Sequence, residues 1–140
     1  MQDLCAEELY FVNTFIVSNR RERMLWELRA KEKPPGCIDR FAHGAREVLK
    51  AACVHPVRIQ KGEFMLGSKD FCAEIGNPQV LILHPDDECD CTRARFCDAL
   101  DRLLGCGPYI LIDCKMNFAF IETESGGKDH EFLYICSSLK

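Results

Sequence analysis

Residues 109–137, YILIDCKMNFAFIETESGGKDHEFLYICS, decide the fold. Three apolar runs stand in this stretch: YILID (109–113), NFAFIETE (117–124) and EFLYICS (131–137). Their β-branched and aromatic residues suit a pleated surface, so each reads as a strand. Between the last two lies SGGKDH (125–130), a hairpin loop by composition. Upstream, QVLIL (79–83) has the same strand character. In several of these runs the apolar residues are consecutive, not alternating, which implies a sheet covered on both faces.

The covers are read as helices. Residues 92–104 set Phe96, Ala99, Leu100, Leu103 and Leu104 on one side and stop at Gly105, placed as C′. Residues 38–49 carry an apolar stripe of Ile38, Phe41, Ala42, Ala45, Val48 and Leu49. An earlier helix is expected from Arg20, with Asn19 and Glu22 at the spacing of an N-cap and its reciprocal third residue. It carries Met24, Leu25 and Leu28 and ends before Pro34-Pro35-Gly36. Residues 9–17, LYFVNTFIV, fit a strand by composition or a helix begun by the preceding DLCAEE. VRIQ (57–60) and EFML (63–66) are possible short strands between glycines. The expectation is a single α+β domain over residues 1–140, with N-terminal helices followed by a mostly antiparallel sheet of about four strands and one intervening helix. That helix would cover one face and the N-terminal pair the other.

Length and composition fit this picture. A chain of 140 residues with 47% apolar and 29% charged residues can bury a core without staples. The net charge of −4 is too mild for a general nucleic-acid binder. No apolar run approaches the roughly 18–20 residues of a membrane span. The opening MQDLCAEELYFV has acids where a signal peptide carries basic residues, so a cytoplasmic location is expected. Ten cysteines are present, with no C-x-x-C and one close pair, Cys89 and Cys91. In a reducing compartment they are expected as reduced, mostly buried thiols, Cys97, Cys114 and Cys136 among them.

The densest chemistry lies in HPDDECDC (84–91), where seven of eight residues are possible metal ligands. Turn and cap chemistry accounts for the segment as a strand-to-helix connection. Pro85 ends the ladder, the acids suit a helix N-terminus, and Asp90 or Thr92 serves as N-cap. The leading HPDDE after an apolar strand also resembles the N-terminal metal motif of the LmbE-like (PIG-L) sugar deacetylases. That resemblance implies zinc held by His84 and Asp87, Asp86 as general base, and a doubly wound domain opened by the strand. It covers five residues; Leu83 stands at the family's alanine, CDCTRA replaces its glycine-rich continuation, and no H-x-x-H follows. A different zinc site using Cys89 and Cys91 with His84 is a further possibility, with no fourth ligand nameable.

Other groupings are weaker. Arg20, Arg21, Arg23, Arg29, Lys31 and Lys33 are interleaved with Glu22, Glu27 and Glu32, the pattern of a solvated helix face. Asp39, His43 and Glu47 lie four apart on one helix side, and Cys37 sits at that helix's start, where the dipole would lower a thiol pKa. Cys37 and His43 are nearly two turns apart and do not meet on a straight helix. His55 and His130 read as ordinary exposed histidines, and SGGK (125–128) lacks the spacing of a phosphate loop.

Three functions follow in order. The first is a binding protein without a catalytic set or cofactor, immunity- or adaptor-like, contacting another protein through the acidic connection 86–90 or the charged helix face. The second is a zinc-dependent hydrolase built on His84, Asp86 and Asp87, with a third ligand from His130, His43 or a cysteine. The third is a nucleic-acid-associated protein using Arg20, Arg21 and Arg23.

Overall fold

The computed structural model describes residues 3–30, 37–57, 75–85, 90–103, 105, 108–123 and 131–137. The ambiguous N-terminal stretch is helical: α1 spans Ala6–Phe15. Phe11, Val12 and Phe15 recur at helical spacing and are fully buried, which favours the helix over a strand. Glu8 fixes its start, accepting the Cys5 backbone N–H at 3.2 Å and the Cys5 thiol at 3.3 Å.

An elbow at Ile16 and Val17 leads into α2, Ser18–Arg29. The expected Asn19–Glu22 capping pair does not form, because the helix starts earlier, after Val17, with no side-chain cap. Backbone bonds fix the elbow instead. Val17 N–H donates to Val48 C=O at 2.8 Å, and Lys50 N–H donates to Phe15 C=O at 2.8 Å. Arg21 Nε donates to Ile16 C=O at 2.9 Å and satisfies an end of α1.

The stripe at 38–49 is divided between α3, Cys37–His43, and α4, Ala45–Val48. Gly44 marks the break, its N–H shared between the Arg40 and Phe41 carbonyls at 3.3 and 3.2 Å. The apolar side survives the break: Ile38, Phe41, Ala42, Ala45 and Leu49 are all buried. A 3₁₀ turn at Ala51–Cys53 then leads into β1, Val54–Val57.

The remaining strands are β2, Gln79–Leu83; β3, Thr92–Arg95; β4, Tyr109–Asp113; β5, Phe118–Thr123; and β6, Glu131–Cys136. They form a six-stranded sheet in the order β1-β6-β5-β4-β2-β3, every neighbouring pair antiparallel. The α+β class is therefore the one expected, with two more strands, β1 and β3, at the edges. β5 and β6 pair from Phe118↔Cys136 to Thr123↔Glu131, the hairpin read from the sequence. SGGKDH, EFML and all of VRIQ but Val57 lie outside the described residues.

Both faces of the sheet are covered. Leu81, Leu83, Ile110, Ile112, Ile121, Leu133 and Ile135 share a core with Phe11, Phe15, Ile38 and Phe41 of the N-terminal helices. On the opposite face, Val80, Ile82, Leu111, Phe118, Phe120 and Phe132 pack with Phe96, Ala99, Leu100 and Leu103. Those four belong to α5, Phe96–Leu103. Phe96 meets Phe118 and Phe120 edge-on, at ring centroid distances of 5.8 and 5.5 Å. Gly105 takes φ +79 just beyond α5, as a C′ glycine should. Its N–H donates to the fully buried Glu122 carboxylate at 3.0 Å, which ties the helix end to β5.

Residues 92–95 depart from the expected helix. They extend along the open edge of β2, with Val80↔Ala94 and Ile82↔Thr92 in register. A ready ladder of backbone partners outweighs the weak strand propensity of TRAR. The cap of α5 is accordingly neither Asp90 nor Thr92. Asn77, at φ 50, accepts the Cys97 N–H through its side-chain oxygen at 2.8 Å.

Candidate functional site

The connection HPDDECDC joins two antiparallel strands, not a strand and a helix. Cys91 adopts φ 60 and donates its N–H to Ile82 C=O at 2.7 Å, the geometry of a bulged hairpin end. Asp90 braces the other side, accepting the His84 N–H at 3.1 Å. His84 and Cys91 therefore stand at the two ends of the connection, both half-buried. Asp86, Asp87 and Cys89 lie outside the described residues. Among the described residues, no group of three or more His, Cys, Asp and Glu side chains is placed to hold a metal. The strand before the motif lies between β4 and β3 in an antiparallel sheet, so the doubly wound domain implied by the deacetylase resemblance is not the fold observed.

The second grouping differs from its sequence reading. His43 ends α3 and is exposed, while Glu47 lies beyond the Gly44 break, so the four-residue spacing does not build a shared face. The Cys37 thiol is pushed up to about 11, by burial first and then by the nearby Glu27 carboxylate. The helix-start effect expected to lower it loses to desolvation. Burial likewise pushes the Cys5 thiol up. Both shifts work against thiolate formation. His55 is half-buried in edge strand β1, opposite Tyr134, where an exposed loop histidine was expected. His130 lies outside the described residues.

A polar cluster around the buried Glu7, missed from the sequence, links three distant segments. Glu7, only 7% exposed in the first turn of α1, accepts from Arg93 of β3 at 3.1 Å through Nε and 3.0 Å through the terminal nitrogen. The neighbouring Cys114 thiol is pushed up, by burial first and then by this carboxylate. Burial alone would raise the Glu7 carboxyl. The hydrogen bonds from backbone, Arg93 and Cys114 outweigh it and hold the group below its ordinary range. A separation of 86 residues leaves no local pattern to find this pair. It fastens the helical layer to an edge strand.

The cysteines are not uniformly reduced. Cys5, Cys37, Cys53, Cys91, Cys114 and Cys136 are free thiols, whereas Cys97, at the start of α5, is disulfide-bonded. The expectation of a free, buried Cys97 thiol is thereby corrected; Cys136 does follow it.

The remaining candidate surface is α2. Met24 and Leu28 turn inward, while Trp26, the sole tryptophan, is 47% exposed. Arg23 and Arg29 lie three residues to either side of it, with Glu22 four before. Glu27, flanking the indole, is engaged by Arg23 at 3.4 Å and by Arg40 of α3 at 3.0 Å. Of the residues read as a basic cluster, Arg21 is spent on the Ile16 carbonyl and Arg23 on Glu27.

Comparison with protein-family models, with curated proteins and with solved structures returns no match to this chain. No helix among the described residues is long and apolar enough to cross a membrane.

Proposed function

We propose that this is a non-catalytic binding module whose partner is another protein and whose contact surface is centred on Trp26. The observation that carries the reading is the indole's position. A tryptophan left 47% exposed on a helix whose inward side already has two buried apolar residues has surface to lose on association. Tryptophan and arginine are the side chains most enriched where binding energy concentrates, and Arg23 and Arg29 flank this one. The helix suits a protein better than a nucleic acid. Glu22 and Glu27 stand among its arginines and would repel phosphate, while two of those arginines are already engaged.

The test compares the native protein with Trp26→Ala as baits in a nuclease-treated extract of the source cells, with chemical cross-linking. A defined protein held by the native bait and lost from a Trp26→Ala bait of unchanged melting temperature supports the reading. Identical capture by both baits overturns it, as does capture that disappears on nuclease treatment.

A further inference from the structure

We infer that the Trp26 surface of α2 docks on a second copy of itself, as a two-fold pair of antiparallel helices. The inference rests on reading that helix as a contact surface and names its occupant. With about 100° and 1.5 Å per residue, Glu22 lies about 6 Å before Trp26 along the axis, and Arg29 about 4.5 Å after it. Both fall on the same flank of the indole, about 40° and 60° around the helix, and both are exposed. The opposite flank holds Arg23 before the indole and Ala30 after it. A two-fold axis perpendicular to α2, lying in the contact plane at Trp26, reverses the direction along the helix and keeps each flank facing its own kind. It therefore sets Glu22 against Arg29 of the second copy, twice. Arg23 meets Ala30, and Trp26 meets its own equivalent at the centre. Opposite charges at matching offsets on one flank make the surface self-complementary, which is the requirement of an isologous interface. Parallel packing about a two-fold along the helix turns the flanks over; it sets Glu22 against Arg23, which Glu27 already engages, and leaves Arg29 opposite Ala30.

Contact through the β3 edge is disfavoured. The outer strand β3 is short and presents Arg93 and Arg95, and pairing two copies through it would oppose like charges. A single helix pair buries less than about 1,200 Å² in total, so the dimer belongs to the weak, concentration-dependent class.

Sedimentation equilibrium of the full chain from about 5 to 500 μM is the test, a range that brackets micromolar association. The native protein is expected to shift from monomer to dimer mass across it. Trp26→Ala should abolish the shift. Glu22→Arg and Arg29→Glu should each weaken it by about tenfold, because each puts like charges opposite one another twice. The double exchange Glu22→Arg/Arg29→Glu should return the constant to within about threefold of native, a recovery that misfolding cannot mimic. A native protein that stays monomeric over the range, or a double exchange no better than the singles, overturns the inference. Trp26-dependent capture of a different protein in the extract experiment would still leave the binding-module reading standing, so the two failures are distinct.

Discussion

Two helices of this protein solve the same problem in opposite ways. α5 has eight residues, four of them buried, and its aromatic lead residue sits between two phenylalanines of the sheet. α2 has twelve residues, two of them buried, and turns its largest apolar side chain outward. α5 is held by what it buries. α2 is held at its start, by a backbone clip at the elbow and an arginine satisfying the turn before it, and by two buried side chains. A helix fixed at its start and along one narrow side leaves its outer side free for contact.

The contrast breaks most visibly at α5. Phe96→Ala should lower unfolding free energy by about 3–5 kcal/mol, since a fully buried ring with two edge-on partners leaves a cavity the sheet cannot fill. A denaturant midpoint shift worth less than about 1 kcal/mol would mean that α5 is not committed to the core. The next effect lies on the other face, where Glu7 fastens α1 to β3. Glu7→Gln should cost about 1–2 kcal/mol at pH 7, discounted because the Arg93 side chain is 44% exposed. The sign with pH follows from the lowered carboxyl. The stabilisation is full above the ordinary value of 4.5 and fades as pH falls through the lower folded value. Melting curves of native protein and variant should therefore converge as pH falls from 4.5 through the lower folded value; a gap that widens on acidification would show that the pair does not hold Glu7 ionised.

The residues show why the class was legible from sequence and the edges were not. Strands β2, β4, β5 and β6 are central, buried on both faces, and their apolar runs carry that burial in local composition. Edge strands need only one partner, so TRAR and VHPV are set by their neighbours and carry little strand signal of their own. The helix starts failed for a related reason. Asn19 and Thr92 have the right chemistry at the wrong places, because the start of α2 is fixed by the bond from Val17 N–H to Val48 C=O, and α5 is capped from Asn77, twenty residues before the amide it receives. The acidic connection was singled out for its composition, but its partners along the chain decide that it closes a hairpin. Glu7 and Arg93 form a half-buried pair across 86 positions, a contact no window of sequence contains.

That long-range cap offers a finer test. Asn77→Ala should cost about 1 kcal/mol, since the Cys97 amide at the start of α5 loses its acceptor and alanine tolerates φ 50 poorly. Asn77→Gly should recover part of this loss, because it removes the backbone strain while leaving the amide without its side-chain partner. Equal losses in the two variants would assign the whole effect to the hydrogen bond.

The smallest expected effect is the most informative. If α2 is held at its start and by Met24 and Leu28, truncating Trp26 removes side-chain surface that is already half in water. Trp26→Ala in dilute solution should therefore change unfolding free energy by no more than about 0.5 kcal/mol, an order less than Phe96→Ala. Alanine's high helix propensity offsets part of the lost contact. A loss of 2 kcal/mol or more at low protein concentration would mean that the indole supports the fold from outside, and the contrast between the two helices would collapse. A negligible loss at low concentration, rising as the native protein is concentrated and the variant is not stabilised in step, is what mass action requires of a folded dimer. Stability measured against concentration thus separates a tryptophan that serves the fold from one that serves an interface.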